Sequence, residues 1–187
     1  LTRLEIKLAP YGIGQRTKLL NCDAKEGIEK LAKFMKQDAK RHLSIDYPNH
    51  YKTLCLLDPF GMSIEWDSIV KLAGKSLDLW ILVPTGSIVS RLIQNDGKLR
   101  YPEKLERFFG LPEQVIRDRF YHKKFEKDLF GGHEEIHKVE NSIRVISDLY
   151  CEQLGTLFPY VTNEPLVLKN SHNVPLFSFV CASYNKT

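Results

Sequence analysis

The run Thr53-Leu54-Cys55-Leu56-Leu57 breaks off at Asp58-Pro59-Phe60-Gly61, and this junction constrains the fold more than any other stretch of the chain. Apolar residues at successive positions leave no polar face, so the run predicts a strand buried on both sides, as in a mostly parallel sheet. In open α/β sheets, ligands lie just beyond the carboxyl ends of such strands. Asp58 to Gly61 would stand at that place, with a carboxylate facing a pocket, a proline stiffening the turn and Phe60 offering a flat apolar surface. An acid, a proline and an aromatic at a strand end suit a planar, amine-bearing substrate. The plainer reading is a strand-ending turn, since Asp, Pro and Gly are ordinary turn residues.

Helix and strand signals alternate around this junction. Lys18 to Cys22 predicts a short strand, and Ala24 to about Ala39 a helix with Ile28, Leu31, Ala32 and Met35 on one face. A polar loop through Asn49 follows. Ile64 to Ala73 predicts a helix stopped by Gly74, Leu77 to Val83 a strand ended by Pro84, and Ser87 to Gln94 a further helix. Strands separated by helices argue for a parallel sheet with right-handed crossovers. Further on, Glu103 to Gly110 and Glu113 to Tyr121 predict short helices, Lys123 to Gly132 a charged loop, and Glu134 to about Phe158 one long helix. Leu166 to Lys169 and Leu176 to Ala182 flank a turn at Asn170 to Asn173, a connection so short that the pair must be antiparallel. The expected fold is α/β: a Rossmann-like, mostly parallel sheet closed by a C-terminal antiparallel hairpin. It forms a single domain over residues 1–187, with a helical and loop insertion at 95–133.

At 187 residues the chain is long enough to bury a substantial core as one domain. Its 43% hydrophobic and 27% charged residues argue against disorder. No apolar stretch reaches the length of a membrane span, and nothing resembles a signal peptide. Cys22, Cys55, Cys151 and Cys181 form no CxxC pair; Cys22, Cys55 and Cys181 fall in expected strands, and buried free thiols of a cytoplasmic protein account for them. A net charge of +4 permits a nucleic-acid partner without requiring one. The chain opens at Leu1 rather than at methionine, which leads us to expect residues upstream.

Several short motifs, taken in order, resemble the three-Cys-motif partner proteins (TcmP), which look like class I S-adenosylmethionine-dependent methyltransferases. They are Asn21-Cys22-Asp23, Leu56-Leu57-Asp58-Pro59-Phe60-Gly61, Glu65-Trp66, Leu77-Asp78-Leu79-Trp80, Val83-Pro84-Thr85-Gly86, Val89-Ser90-Arg91-Leu92, Phe108-Phe109-Gly110 and Ala182-Ser183-Tyr184-Asn185. The resemblance implies S-adenosylmethionine as cofactor, a nucleic acid or similar polar molecule as methyl acceptor, and a cysteine-motif protein encoded nearby as partner. It places Asp23 at the adenine end of the cofactor and Asp58 at the cofactor and acceptor. Asp58, Pro59 and Phe60 become the catalytic motif, with the acid orienting the acceptor nitrogen and the ring stacking on it. Arg91 becomes a contact for a phosphate or carboxylate, with a surface salt bridge as the alternative. The chain departs from the pattern in two ways. It has one proline where nucleic-acid amino-methyltransferases usually have two, and the glycine-rich cofactor turn is not visible. Gly12 and Gly14 read as loop glycines, because the strand expected at Lys18 leaves no room for the intervening helix. A non-catalytic partner or scaffold that has kept the fold is the rival function.

Two other patterns carry chemistry. His133-Glu134-Glu135-Ile136-His137 satisfies H-E-x-x-H, which on a helix sets two imidazoles on one face for zinc, with Glu152 or Glu164 as a third ligand. Its charged surroundings and the upstream αβ alternation speak against a zinc protease, and the TcmP-type reading needs no metal. Arg117, Arg119, Lys123, Lys124 and Lys127 interleave with Phe120, Tyr121 and Phe125, a pattern for cations on a phosphate backbone and rings on unpaired bases. Asp118, Glu126 and Asp128 dilute it, and an amphipathic helix with a solvated face reads equally from the same residues. His42, His50, His122 and His172 have no ligand spacing and are expected at the surface.

Overall fold

The computed structural model describes residues 6–7, 10, 19–41, 53–128 and 131–184. Helix α1 (Ala24–Arg41) precedes strand β1 (Thr53–Leu57), the short helix α2 (Trp66–Val70) and strand β2 (Leu77–Val83). A π-helical turn at Thr85–Val89 runs into the single turn α3 (Ser90–Leu92), followed by α4 (Pro102–Phe109) and α5 (Glu113–Phe120). A hairpin of β3 (Tyr121–Asp128) and β4 (Gly131–Lys138) leads to α6 (Ser142–Gly155), then β5 (Tyr160–Val161), β6 (Leu166–Lys169) and β7 (Pro175–Ser183).

Among the described residues the main sheet runs β1-β2-β7-β5, with β6 also paired to β7. β1 and β2 are parallel, from Thr53 opposite Leu77 to Leu57 opposite Ile81. All the other pairings in this sheet are antiparallel. The protein is therefore α/β with a mixed sheet, and the expectation of a mostly parallel one is corrected. The cause is β7, which lies antiparallel beside β2 and carries both β5 and β6. The β6–β7 hairpin forms as its short turn predicts. Asn170 Oδ1 accepts the N–H groups of His172 and Val174, each at 3.0 Å, and so closes the turn.

Cys55, Leu79, Ile81, Val180 and Ala182 are buried on one face of the sheet. The π-turn and α6 pack against β7. Aromatic rings join α2, α4 and α6, with Trp66 edge-on to Tyr150 at 5.9 Å and Phe108 5.1 Å from the same tyrosine. Leu105, Ile116 and Phe120, from the 95–133 segment, are fully buried in this same core. The opposite sheet face presents Leu54, Leu56 and Trp80, which are 59%, 60% and 40% exposed. Among the described residues β1 is thus covered on one side only, although its apolar run predicts burial on both.

Other expectations also change. Residues 19–22 form no strand; they lead irregularly into α1, and Lys18 and the glycines Gly12 and Gly14 lie outside the described residues, as does the loop through Asn49. The helix expected over Ile64 to Ala73 shortens to α2 because the chain tightens on either side of it. Ser68 N–H bonds Glu65 O at 2.9 Å, Leu72 N–H bonds Ile69 O at 2.9 Å, and Gly74 turns left-handed at φ 71. The helix expected at Ser87 begins instead as the wider π-turn. There Gly86 sits so close to β7 that a Cβ would stand 1.9 Å from the Pro175 carbonyl oxygen. The loop expected over Lys123 to Gly132 and the long helix from Glu134 are both replaced by the β3–β4 hairpin, in register from Tyr121 opposite Lys138 to Asp128 opposite Gly131. Helix begins only at Ser142, after Asn141 reverses the chain at φ 54. All four cysteines are free, and burial raises the pKa of the Cys55 thiol. No helix among the described residues is long and apolar enough to cross a membrane.

Candidate functional site

The end of β1 delivers its residues in three different environments. Asp58 is exposed, Pro59 is buried, and Phe60 is 97% exposed. Gly61 follows at φ 65, where a Cβ would press to 3.2 Å from Ile88 Cδ1. The buried proline and the left-handed glycine anchor the turn, and between them the Phe60 ring projects into solvent. An aromatic ring so exposed contributes almost nothing to folding by burial.

The facing wall comes from α1. Asp23 Oδ1 accepts the Glu26 N–H at 2.8 Å, which makes Asp23 the cap of this helix. Lys71 pairs with Glu29 and ties α1 to the segment after α2. The hydrogen bond and charge of Lys71 lower the Glu29 pKa. Lys25 reaches Glu65 at 3.6 Å.

Together these elements line a cleft of about 740 Å³ that contains Cys22, Asp23, Lys25, Leu57, Asp58, Pro59, Phe60 and Glu65. Asp23 and Asp58, distant in sequence, thus meet in one cleft beyond the carboxyl end of β1. Carboxylates beside the apolar side chains of Leu57 and Ile64 can bind hydroxyls and amines around a flat, partly apolar ligand.

Phe60 is also a wall of a second cleft, of about 400 Å³, shared with Met62, Ile88, Leu92, Tyr101, Lys104 and Arg107. Tyr101 precedes α4 with a left-handed backbone at φ 54, a conformation that costs a non-glycine residue about 1–2 kcal/mol. The Lys104 ammonium stands over its ring, 4.9 Å from the centroid. Arg107 donates to Glu65 Oε1 at 3.2 Å, so Glu65 is shared by both clefts and held by cations from two helices. Tyr101, Lys104, Arg107 and Glu65 belong to no site motif in the sequence. The available signal was the spacing of Lys104 and Arg107, which puts them on one helix face next to an aromatic and a helix-starting proline.

The remaining candidates lie elsewhere. Arg91 is exposed on α3 and lines neither cleft. Arg117 is bound to Glu113 at 2.7 Å and to the Gly97 carbonyl at 2.8 Å, Arg119 pairs with Glu152, and Lys123 pairs with Glu134 at 2.8 Å. Lys124 is exposed on β3. The basic stripe is therefore split between α5 and the hairpin. Of its aromatics, Phe120 is buried and Phe125 is open. The Tyr121 hydroxyl donates toward the Gln94 and Lys98 carbonyls, and burial pushes its pKa up to about 12.

The H-E-x-x-H sequence lies on β4, not on a helix. Four residues along a strand separate same-face side chains by about 13 Å, far beyond what a shared zinc at about 2 Å per ligand allows. His137 instead stacks on His122 of β3, with ring centroids 6.1 Å apart. No group of metal-ligating side chains occurs among the described residues. His122 and His172 are exposed as expected, whereas His42 and His50 lie outside the described residues.

No protein-family model, curated protein or solved structure matches the chain.

Proposed function

We propose that this protein is a methyltransferase-like protein of the three-Cys-motif partner type that uses S-adenosylmethionine to methylate a nitrogen of a nucleic acid or similar polar acceptor. The observation that carries the reading is the meeting of Asp23 with Asp58, Pro59 and Phe60 in one cleft beyond β1. A volume of about 740 Å³ lies within the range of small-molecule and cofactor sites. The donor set fits as well, since a carboxylate at Asp23 suits amine and hydroxyl donors while Leu57 and Ile64 offer apolar contact. S-adenosylmethionine would supply an electrophilic methyl group. Asp58 would accept the acceptor amine's hydrogens and orient its nitrogen, Phe60 would stack on the acceptor plane, and Pro59 would hold both in place. Alignment of this kind supplies much of the rate in transfers between two bound groups.

A second reading, a non-catalytic partner of a cysteine-motif protein, is favoured by one observation. Among the described residues, Leu54, Leu56 and Trp80 present an open apolar sheet face, of the kind that marks association surfaces.

Calorimetric titration with S-adenosylmethionine separates the two. Asp23→Ala alone would confound loss of ligand contact with loss of the α1 cap, so Asp23→Asn, which keeps a capping oxygen, accompanies it. Saturable binding weakened by both substitutions supports the methyltransferase. A folded protein that shows no binding, alone or with its cysteine-motif partner, sinks that reading and leaves the scaffold.

A further inference from the structure

We infer that the smaller cleft on the other side of Phe60 is a nucleotide site, in which Phe60 and Tyr101 offer ring faces to a base while Lys104 and Arg107 offer cations to its phosphate. As a ligand site it stands on its own residues; only a role beside the acceptor position at Asp58, which lines the other cleft, rests on the function proposed above.

The first observation is the pair of aromatics at its mouth. Phe60 is 97% exposed and Tyr101 is 54% exposed, and both line a cleft of about 400 Å³ with Met62, Ile88 and Leu92. The Phe60 ring, and the face of Tyr101 that Lys104 does not cover, lie above an apolar floor and suit a flat heterocycle, because every base has a π-face to stack.

The second observation is charge. Lys104 meets no carboxylate among the described residues, and its ammonium lies over the Tyr101 ring at 4.9 Å. Arg107 is partly neutralised by Glu65, which Lys25 also contacts. The cleft therefore keeps a net cation next to its aromatic surface. A neutral heterocycle would leave that cation unused, whereas a base carrying a phosphate satisfies ring and ammonium together.

The third observation is backbone strain at the residue that supplies a ring. Tyr101 holds φ 54, where glycine or asparagine is at ease and tyrosine is not. Unfavourable conformations of this kind cluster at ligand sites. Here the strained residue carries one of the two rings, and its carbonyl accepts the Lys104 N–H at 3.0 Å, so ring and cation are set by the same turn.

The test is calorimetric titration of the whole chain with adenosine 5′-monophosphate, adenosine and inorganic phosphate, and with a short single-stranded oligonucleotide. The monophosphate is expected to bind more tightly than either the nucleoside or phosphate alone. Lys104→Gln should weaken the monophosphate about tenfold and leave adenosine unchanged. Tyr101→Gly suits the left-handed backbone, so it should hold or raise the melting temperature while weakening monophosphate and nucleoside alike by about tenfold. Tyr101→Asn gives the same ring deletion at a tolerated φ if the glycine variant folds poorly. Tighter binding of the oligonucleotide than of the monophosphate assigns the site to a strand, and the reverse order to a free nucleotide. The inference fails if no monophosphate binding saturates, if inorganic phosphate binds as well as the nucleotide, or if both Tyr101 variants bind like the parent. S-adenosylmethionine binding with its Asp23→Asn control reports on the other cleft. Loss of one activity with the other intact therefore says which of the two assignments is wrong.

Discussion

Arg107 donates to Glu65 at 3.2 Å, and Glu65 lines both the β1 cleft and the aromatic cleft beyond Phe60. Water reaches both partners, with Arg107 55% and Glu65 31% accessible. Exposed pairs of this kind contribute about 0–1 kcal/mol to folding, so this one matters mainly through what it leaves available to ligands. Glu65→Gln should change the melting temperature little while releasing Arg107 and Lys25 from their carboxylate. Affinity for adenosine 5′-monophosphate should rise, and its dependence on salt should steepen. Titrations at low and moderate ionic strength check this; unchanged affinity and salt slope would show that neither cation faces the bound anion.

Two glycines carry close contacts that no other residue can make. A Cβ on Gly110 would stand 2.1 Å from Trp66 Cδ1, and the residue already turns at φ 67. A Cβ on Gly86 would meet the Pro175 carbonyl oxygen at 1.9 Å, and that atom is backbone held in β7. Either alanine substitution should cost about 2–4 kcal/mol, by overpacking at both sites and by left-handed strain at Gly110 as well. Urea denaturation of Gly86→Ala and Gly110→Ala gives the values; a loss under about 1 kcal/mol at either site would mean that the neighbouring element moves freely.

β1, β2, the β6–β7 hairpin and the helices α1, α4 and α5 are legible in the sequence because each has a clean period and a marked end, such as Pro84 after β2 and Gly110 after α4. The β3–β4 hairpin is not legible there, for a local reason. Helix α5 ends at Phe120 and β3 starts at Tyr121, so no turn residue marks the change, and Gly131 and Gly132 lie inside β4 rather than between elements. Strand direction was legible where the connection is short and illegible where it is long: β7 joins β2 antiparallel from the far end of the chain. The apolar run of β1 predicts a strand but cannot say that Leu54 and Leu56 face outward. On the site, the Asp58 turn is legible as an acid that ends a strand, whereas Asp23 enters through the resemblance alone. The spacing of Lys104 and Arg107 puts them on one helix face, but the Tyr101 backbone angle and the contact of Lys104 with its ring are not encoded in composition.

Tyr150 is completely buried among Trp66, Phe108 and Phe109, yet its hydroxyl has no hydrogen-bond partner among the described residues. A buried hydroxyl without a partner loses its hydration and gains nothing in return. Tyr150→Phe keeps every ring contact and removes that oxygen, so it should stabilise the protein by about 1 kcal/mol. Tyr150→Leu, which removes the ring as well, should destabilise it. Chemical denaturation of both variants gives the comparison, and a less stable phenylalanine variant would reveal a partner for the hydroxyl.

Alkaline pH should weaken the fold through Cys151. Burial, reinforced by the carboxylates of Asp148 and Glu152, pushes its thiol up to about 11 from an ordinary 9.0. The unfolded chain then releases this proton before the folded one does, so the folded state binds more protons between those values and stability falls as pH rises through them. The contribution is fully present below pH 9 and lost by about pH 11. Burial raises Tyr121 to about 12, which adds a loss of the same sign at higher pH. Lys138 acts in the opposite direction. Burial lowers its pKa, so the unfolded chain holds that proton longer and stability gains as pH rises through the depressed value toward 10.5. The two effects overlap, and the parent protein alone cannot separate them. Cys151→Ala removes only the thiol, and its stability should decline less steeply than the parent's between pH 9 and 11. Parallel curves for the two proteins would remove Cys151 as a source of alkaline sensitivity.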